Sequence, residues 1–172
     1  YGPTPGQAAC LACAAGSFQT SAGQIACVPC DAGTASSSTG RATACPDCSP
    51  GYFASQAGQI ACTACAPGTI AAVAGSTGCT DCGAGFFQSN PASASCLECP
   101  LGQFSATPGQ AVCAPCATGS FAASTGSTSC TLCDAGSYQD AAGSSSCIAC
   151  PAGSYGPTPG QAACLACAAG SF

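Results

Sequence analysis

Histidine, lysine, methionine and tryptophan are absent from the sequence, and only seven of its 172 residues are charged: Arg41 against Asp31, Asp47, Asp81, Asp134, Asp140 and Glu98. Without His or Lys, the commonest general base, the Schiff-base amine and the favoured imidazole metal ligand are missing together, so no enzyme activity and no cofactor are expected. A nucleic-acid partner needs clustered Lys and Arg, and one Arg does not supply them. No apolar run approaches the roughly 18 residues of a membrane span, so a direct span is not expected, and no secretory leader pattern is present. Leu, Ile, Val and Phe together number 19. That is about 11% of the chain, below the roughly 20% at which a sequence begins to bury a sizeable apolar core.

What the chain has instead is cysteine: 20 of 172 residues. Such a density marks a disulfide scaffold of an oxidising compartment. The cysteines fall as ten C-x-x-C pairs at 10/13, 27/30, 45/48, 62/65, 79/82, 96/99, 113/116, 130/133, 147/150 and 164/167. Every interval is 17 residues except the 18 between Cys27 and Cys45, so residues 1–172 read as ten tandem units. Three residues after each second cysteine stands a Gly, at 16, 33, 51, 68, 85, 102, 119, 136, 153 and 170. Two further on is an aromatic in eight units: Phe18, Phe53, Phe87, Phe104, Phe121, Tyr138, Tyr155 and Phe172. A second Gly precedes the next pair by four residues, as at Gly23 and Gly58. A longer period lies above this one, because residues 1–18 recur unchanged at 155–172, a shift of 154. The recurrence points to a window of a longer tandem array, the processed or internal part of a secreted protein.

Three chemistries use such pairs. Five four-thiolate zinc sites would add about −10 to a net charge that is already −5 with one Arg to compensate. Iron–sulfur motifs are denser, and a redox C-x-x-C occurs once at a helix start rather than ten times in loops. Disulfides remain. Their connectivity is not fixed by sequence alone. The economical solution joins Cys13 to Cys27, Cys30 to Cys45, Cys48 to Cys62, Cys65 to Cys79, Cys82 to Cys96, Cys99 to Cys113, Cys116 to Cys130, Cys133 to Cys147 and Cys150 to Cys164. Cys10 and Cys167 are then left to pair outside this window.

The intervening segments of 13 residues, or 14 once, are rich in Gly, Ser, Thr and Pro and are poor helix formers. The pattern predicts a small disulfide-rich repeat array: an elongated, solenoid-like rod of short β-hairpin and loop modules with little or no helix, each module leaning on its neighbours. Residues 16–19 and 24–27 are expected to form the two strands of the first hairpin, with a turn at 21–23. The aromatics are expected to pack each loop or to stack between repeats and subunits. A surface this poor in charge should be covered. The expected cover is identical subunits or other fibre proteins packed laterally, O-linked glycans, or both. The Pro-Thr-Pro sites at Thr4 and Thr158 are the most mucin-like of the 22 Ser and 15 Thr.

The unit C-x-x-C-x-x-G-[ST]-[FY], clearest in Cys147-Ile-Ala-Cys150-Pro-Ala-Gly-Ser-Tyr155, resembles the ephrin-receptor-like cysteine-rich repeat and, more distantly, the single-disulfide module of TNF-receptor ectodomains. The resemblance covers the whole chain and implies the disulfide ladder drawn above, in a non-catalytic extracellular rod. Long Ala- and Gly-rich arrays of this kind are similar to mastigoneme proteins of microalgae, which form glycosylated flagellar hairs. A structural protein of an extracellular fibre at the cell or flagellar surface is therefore expected; the alternative is the stalk or ligand-binding ectodomain of a cell-surface receptor.

Overall fold

The computed structural model describes residues 9–171. Among them there is no helix, and sixteen strands of two residues each pair into two-stranded sheets. The chain divides into two compact units, Tyr1–Thr80 with Asn90–Ser95 and Asp81–Ser89 with Cys96–Phe172. The first holds the antiparallel hairpins Ser17–Phe18 with Val28–Pro29 and Tyr52–Phe53 with Thr63–Ala64. The second holds five: Phe86–Phe87 with Leu97–Glu98, Gln103–Phe104 with Ala114–Pro115, Ser120–Phe121 with Thr131–Leu132, Ser137–Tyr138 with Ile148–Ala149, and Ser154–Tyr155 with Leu165–Ala166. The fold is a small disulfide-rich repeat array of hairpin modules.

The first strand of each hairpin lies where the sequence pattern puts it, directly after the first Gly. The second does not. In the first hairpin it is Val28–Pro29, between the two cysteines of the next pair, and residues 24–27 form no strand, with a bend at 25–26. The reason lies in where the backbone hydrogen bonds of 24–27's counterparts go. The residue after the second Gly accepts a bond from the preceding module, as in Gln19 N–H to Arg41 O at 3.0 Å and Ala54 N–H to Ser76 O at 3.1 Å. Committed to a neighbour, that segment cannot close its own hairpin, and the dipeptide between the cysteines does so.

Cystine, not hydrocarbon, forms the interior. Cys30, Cys48, Cys65, Cys82, Cys99, Cys116 and Cys133, each the second of its pair, are the largest fully buried side chains. Beside them lie the residues that follow the aromatic position: Ser36, Ala54, Ala71, Gln88, Ser105, Ala122 and Gln139, all buried. Gln139 satisfies its buried amide within its own loop, donating from Nε2 to Ser146 O at 2.7 Å and accepting at Oε1 from Ala141 N–H at 3.1 Å. Five of the seven are Ser or Ala, where consecutive backbones approach closely, as in Gly16 N–H to Ser36 O at 2.8 Å.

Three further backbone bonds repeat at each junction. In the first unit Gly16 N–H donates to Ser36 O, Cys30 N–H to Gly16 O and Gly58 N–H to Cys30 O, at 2.8, 2.8 and 2.7 Å. In the second unit the counterparts are Gly102 N–H to Ala122 O, Cys116 N–H to Gly102 O and Gly143 N–H to Cys116 O, at 2.9, 2.9 and 2.8 Å. Each module is therefore half of a hydrogen-bonded seam and has no independent ladder longer than two residues, the economy of a stacked repeat.

Candidate functional site

Among the described residues the features that stand out are the cystines, the seam between modules and the face the hairpins turn to solvent. Nine disulfides close the modules: Cys13–Cys27, Cys30–Cys45, Cys48–Cys62, Cys65–Cys79, Cys82–Cys96, Cys99–Cys113, Cys116–Cys130, Cys133–Cys147 and Cys150–Cys164. Their Cα–Cα distances, 5.5 to 5.8 Å, fall in the ordinary range for a cystine. Cys10, exposed, and Cys167, half-buried, have no cystine partner among the described residues. Among the described residues no group of three His, Cys, Asp or Glu is placed to hold a metal ion.

The first Gly of the module is an interlock that sequence spacing does not reveal. A Cβ built on Gly16 would fall on the carbonyl oxygen of Gly58, two modules further along, and Gly33 stands in the same relation to Gly75. In the second unit Gly85, Gly102 and Gly119 meet the carbonyls of Gly126, Gly143 and Gly160 in this way. Each module thus touches the next but one, and a side chain at this point would push them apart. At Gly51 the covering carbonyl belongs to Ala92, whose φ of 56° makes it the one non-glycine residue with positive φ among those described. Ala92 holds the place of the second Gly, and its amide keeps the seam bond, to Cys65 O at 2.9 Å.

The expected aromatics sit on the hairpins rather than in a core. Phe18, Phe53, Phe87, Phe104, Phe121 and Tyr138 are half-buried and Tyr155 is exposed; Phe172, like Thr4, lies outside the described residues. Each faces, across its hairpin, the residue that follows a first cysteine: Phe18 opposite Val28, Phe87 opposite Leu97, Tyr138 opposite Ile148, Tyr155 opposite Leu165. Directly opposed residues share one face of the sheet, so every such hairpin presents an aromatic and an aliphatic side chain together. The aliphatic members stay in water: Val28, Leu97, Ile148 and Leu165 are 46 to 49% exposed. Ile25, Ile60, Val73, Val112 and Leu132 are more exposed still.

Two of the charged residues make side-chain hydrogen bonds, Arg41 within its own loop and Glu98 to another module. Arg41, in the one loop with an extra residue, donates from Nη2 to Ala44 O at 2.8 Å and to Thr43 Oγ1 at 3.1 Å. It is a clasp on its own loop, half-buried rather than freely solvated. Only its coincidence with the 18-residue interval could have signalled this from sequence. Glu98 accepts a bond from Thr125 Oγ1 at 2.6 Å on the surface, in the module that follows its own. The hydroxyl that follows the first Gly is also engaged. Ser17, Thr34, Thr69, Ser120, Ser137, Ser154 and Ser171 each donate to the carbonyl three residues back, at 2.6 to 2.8 Å. Thr158 is different: it is exposed, and its Oγ1 accepts from Gln161 Nε2 at 2.7 Å, leaving its proton uncommitted.

No helix among the described residues is long and apolar enough to cross a membrane. A comparison with curated proteins finds no match to the chain. The sequence profile of the tyrosine-protein kinase ephrin type A/B receptor-like family matches six overlapping segments, residues 1–44, 33–82, 68–110, 102–146, 119–160 and 136–172. Together these cover the chain from end to end, in step with its cystine modules. The chain therefore belongs to the ephrin-receptor-like cysteine-rich repeat family.

Proposed function

We propose that this array is a structural extracellular protein whose modules assemble laterally, with identical copies or other fibre proteins, into a glycosylated filament such as a flagellar hair. The observation that carries the reading is the exposed apolar side chain that hairpins of both units carry, Val28, Leu97, Ile148 and Leu165 among them, in a chain with seven charges. Exposed apolar surface without charged relief is stable only when covered. Disulfide-rich repeats of this family are extracellular in type and non-catalytic, which suits a load-bearing role. O-linked sugar belongs on exposed hydroxyls that do not clamp the module turn, such as Thr158; Thr4 stands in the same Pro-Thr-Pro sequence. The serines and threonines after the first Gly are unsuitable because they clamp the module turn.

Electron microscopy of the protein purified under non-reducing conditions tests this directly: filaments are expected, and a monodisperse monomer free of glycan would overturn the reading. Membership of a receptor-like family favours a second reading, the stalk or ligand-binding ectodomain of a cell-surface receptor. A membrane-spanning segment encoded in the same polypeptide would support it.

A further inference from the structure

The residue that follows the aromatic decides how the loop behind it is filled. In the first unit Gln19, directly after Phe18, folds its side-chain amide back into its own loop: Nε2 donates to Ala26 O at 2.8 Å and Oε1 accepts from Ser21 N–H at 3.1 Å. In the second unit Gln139 does the same, donating to Ser146 O at 2.7 Å and accepting from Ala141 N–H at 3.1 Å. In both units one carboxamide thus joins the N–H two residues on to the C=O seven residues on.

In the module closed by Cys99 and Cys113 the same position is held by Ser105, which is buried. Its loop keeps the seam bonds of the Gln139 loop. Ser105 N–H donates to Ser127 O at 3.1 Å and Gly109 N–H to Cys82 O at 2.8 Å, as Gln139 N–H does to Gln161 O at 3.0 Å and Gly143 N–H to Cys116 O at 2.8 Å. The two groups that a glutamine joins elsewhere are here Thr107 N–H and Val112 O, and neither has a hydrogen-bond partner among the described residues. A serine is too short to span them. Ser36, at this position in the first unit, reaches only the N–H of the two, accepting from Ser38 at 3.2 Å, and Ser105 Oγ turns to Thr107 O at 3.1 Å. At this place lies a groove of about 210 Å³ lined by Phe104, Ser105, Thr107, Gln110, Val112 and Ala114. Ala114 stands opposite Phe104 across the hairpin, where other hairpins set Leu97 or Ile148 against the aromatic. Only a methyl group faces the ring there, so Phe104 forms an apolar wall beside the two polar groups.

We propose that this groove is a binding site for a primary carboxamide, and that its occupant is the Gln56 side chain of a second copy of the chain. The amide nitrogen donates to Val112 O, the amide oxygen accepts from Thr107 N–H, and the methylenes lie along Phe104. The two groups select this chemistry. A carboxylate has no proton for Val112 O and an ammonium has no acceptor for Thr107 N–H, so each would leave a desolvated polar group unpaired. Among the described residues two glutamines are exposed, Gln24 and Gln56. Gln24 lines a groove of its own unit beside Arg41. Gln56 stands between Ser55 and Ala57, both small and exposed, which leaves its amide free to enter a neighbour. A chain with seven charges has few other directional groups to fix how its copies align. This inference deepens the fibre reading and rests on it for the occupant: lateral packing brings the copies together, and the amide sets their register.

The test uses the 172-residue chain with its disulfides intact. Titrated with propionamide and followed by amide NMR, it should show a saturable shift at Thr107 N–H, at least about fivefold larger than propionate produces at the same concentration. Ser105→Gln supplies the amide from within the chain, as Gln19 and Gln139 do, and should abolish that shift. In sedimentation, Gln56→Glu should raise the concentration needed for lateral assembly by about tenfold, the order expected for two lost hydrogen bonds. Gln24→Glu adds the same charge elsewhere and should raise it less than about threefold. No saturable shift at Thr107, an equal response to propionate, or a shift that survives Ser105→Gln would overturn the site. A clear shift with Gln56→Glu no worse than Gln24→Glu would overturn the occupant. If the unsubstituted chain does not assemble at all, the fibre reading falls and the occupant with it, while the propionamide titration still decides the site.

Discussion

Gly102→Ala is the substitution that asks most of the interlock. A Cβ on Gly102 would overlap the Gly143 carbonyl and lie 3.1 Å from Ser144 N, so the module two places on must retreat. Retreat strains the bonds that converge there: Gly102 N–H to Ala122 O, Cys116 N–H to Gly102 O and Gly143 N–H to Cys116 O, at 2.9, 2.9 and 2.8 Å. Losing two or three of these costs about 1 kcal/mol each. The φ of 77° at Gly102 adds about 1–2 kcal/mol for an L-residue, for a total of about 3–5 kcal/mol. In the 172-residue chain Gly136→Ala is the control, because its φ of 84° is equally unsuited to alanine while nothing lies within 4 Å of the added carbon. It should cost only the conformational part. The difference, about 2–3 kcal/mol, corresponds to a roughly 30- to 150-fold larger opening equilibrium. Native-state hydrogen exchange at the Cys116 and Gly143 amides, with all disulfides intact, reads that equilibrium. Equal acceleration by the two variants would refute the interlock.

Ala92→Gly should stabilise the first unit by about 1 kcal/mol, since it relieves the left-handed alanine at φ 56°; the denaturant midpoint measures it. Arg41→Met should loosen its own 14-residue loop by about 1–2 kcal/mol, the worth of charge-assisted bonds to Ala44 O and Thr43 Oγ1, with faster amide exchange confined to residues 36–44. Replacing both Cys99 and Cys113 by Ser removes the closure of a loop of about 15 residues, about 3 kcal/mol. Proteolytic nicking should appear between residues 100 and 112 while the neighbouring modules stay protected.

Much of this fold is written in spacing, because cysteines and glycines at fixed intervals leave a short chain few ways to close. The first strands, at Ser17–Phe18 and Ser137–Tyr138, follow directly from the Gly and aromatic positions. The second strands lie elsewhere, since a pattern read within one module cannot reveal that the counterparts of residue 24 in later modules, Arg41 and Ser76, accept bonds from a neighbouring module. The same blindness hides the contact of Gly102 with Gly143, which spans 41 positions and involves no side chain. Nor does a period distinguish a buried ring from one lying open on a hairpin, as at Tyr155. Arg41 was visible only as an oddity; that its guanidinium turns inward onto Ala44 depends on the path of the extra residue.

The placement of the cystines has a mechanical consequence. Tension applied along the polypeptide enters at one cysteine pair and crosses each disulfide, bypassing the 13 residues between pairs. The covalent route through a module is then three peptide steps, about 10 Å when taut, and one cystine bridge of 5.7 Å between α-carbons. A free 17-residue segment would pull out to nearly 60 Å. Stretching can therefore peel hairpins and seams but cannot pay out slack, so such a strand reaches its limit of extension early and recoils with its loops already closed for refolding.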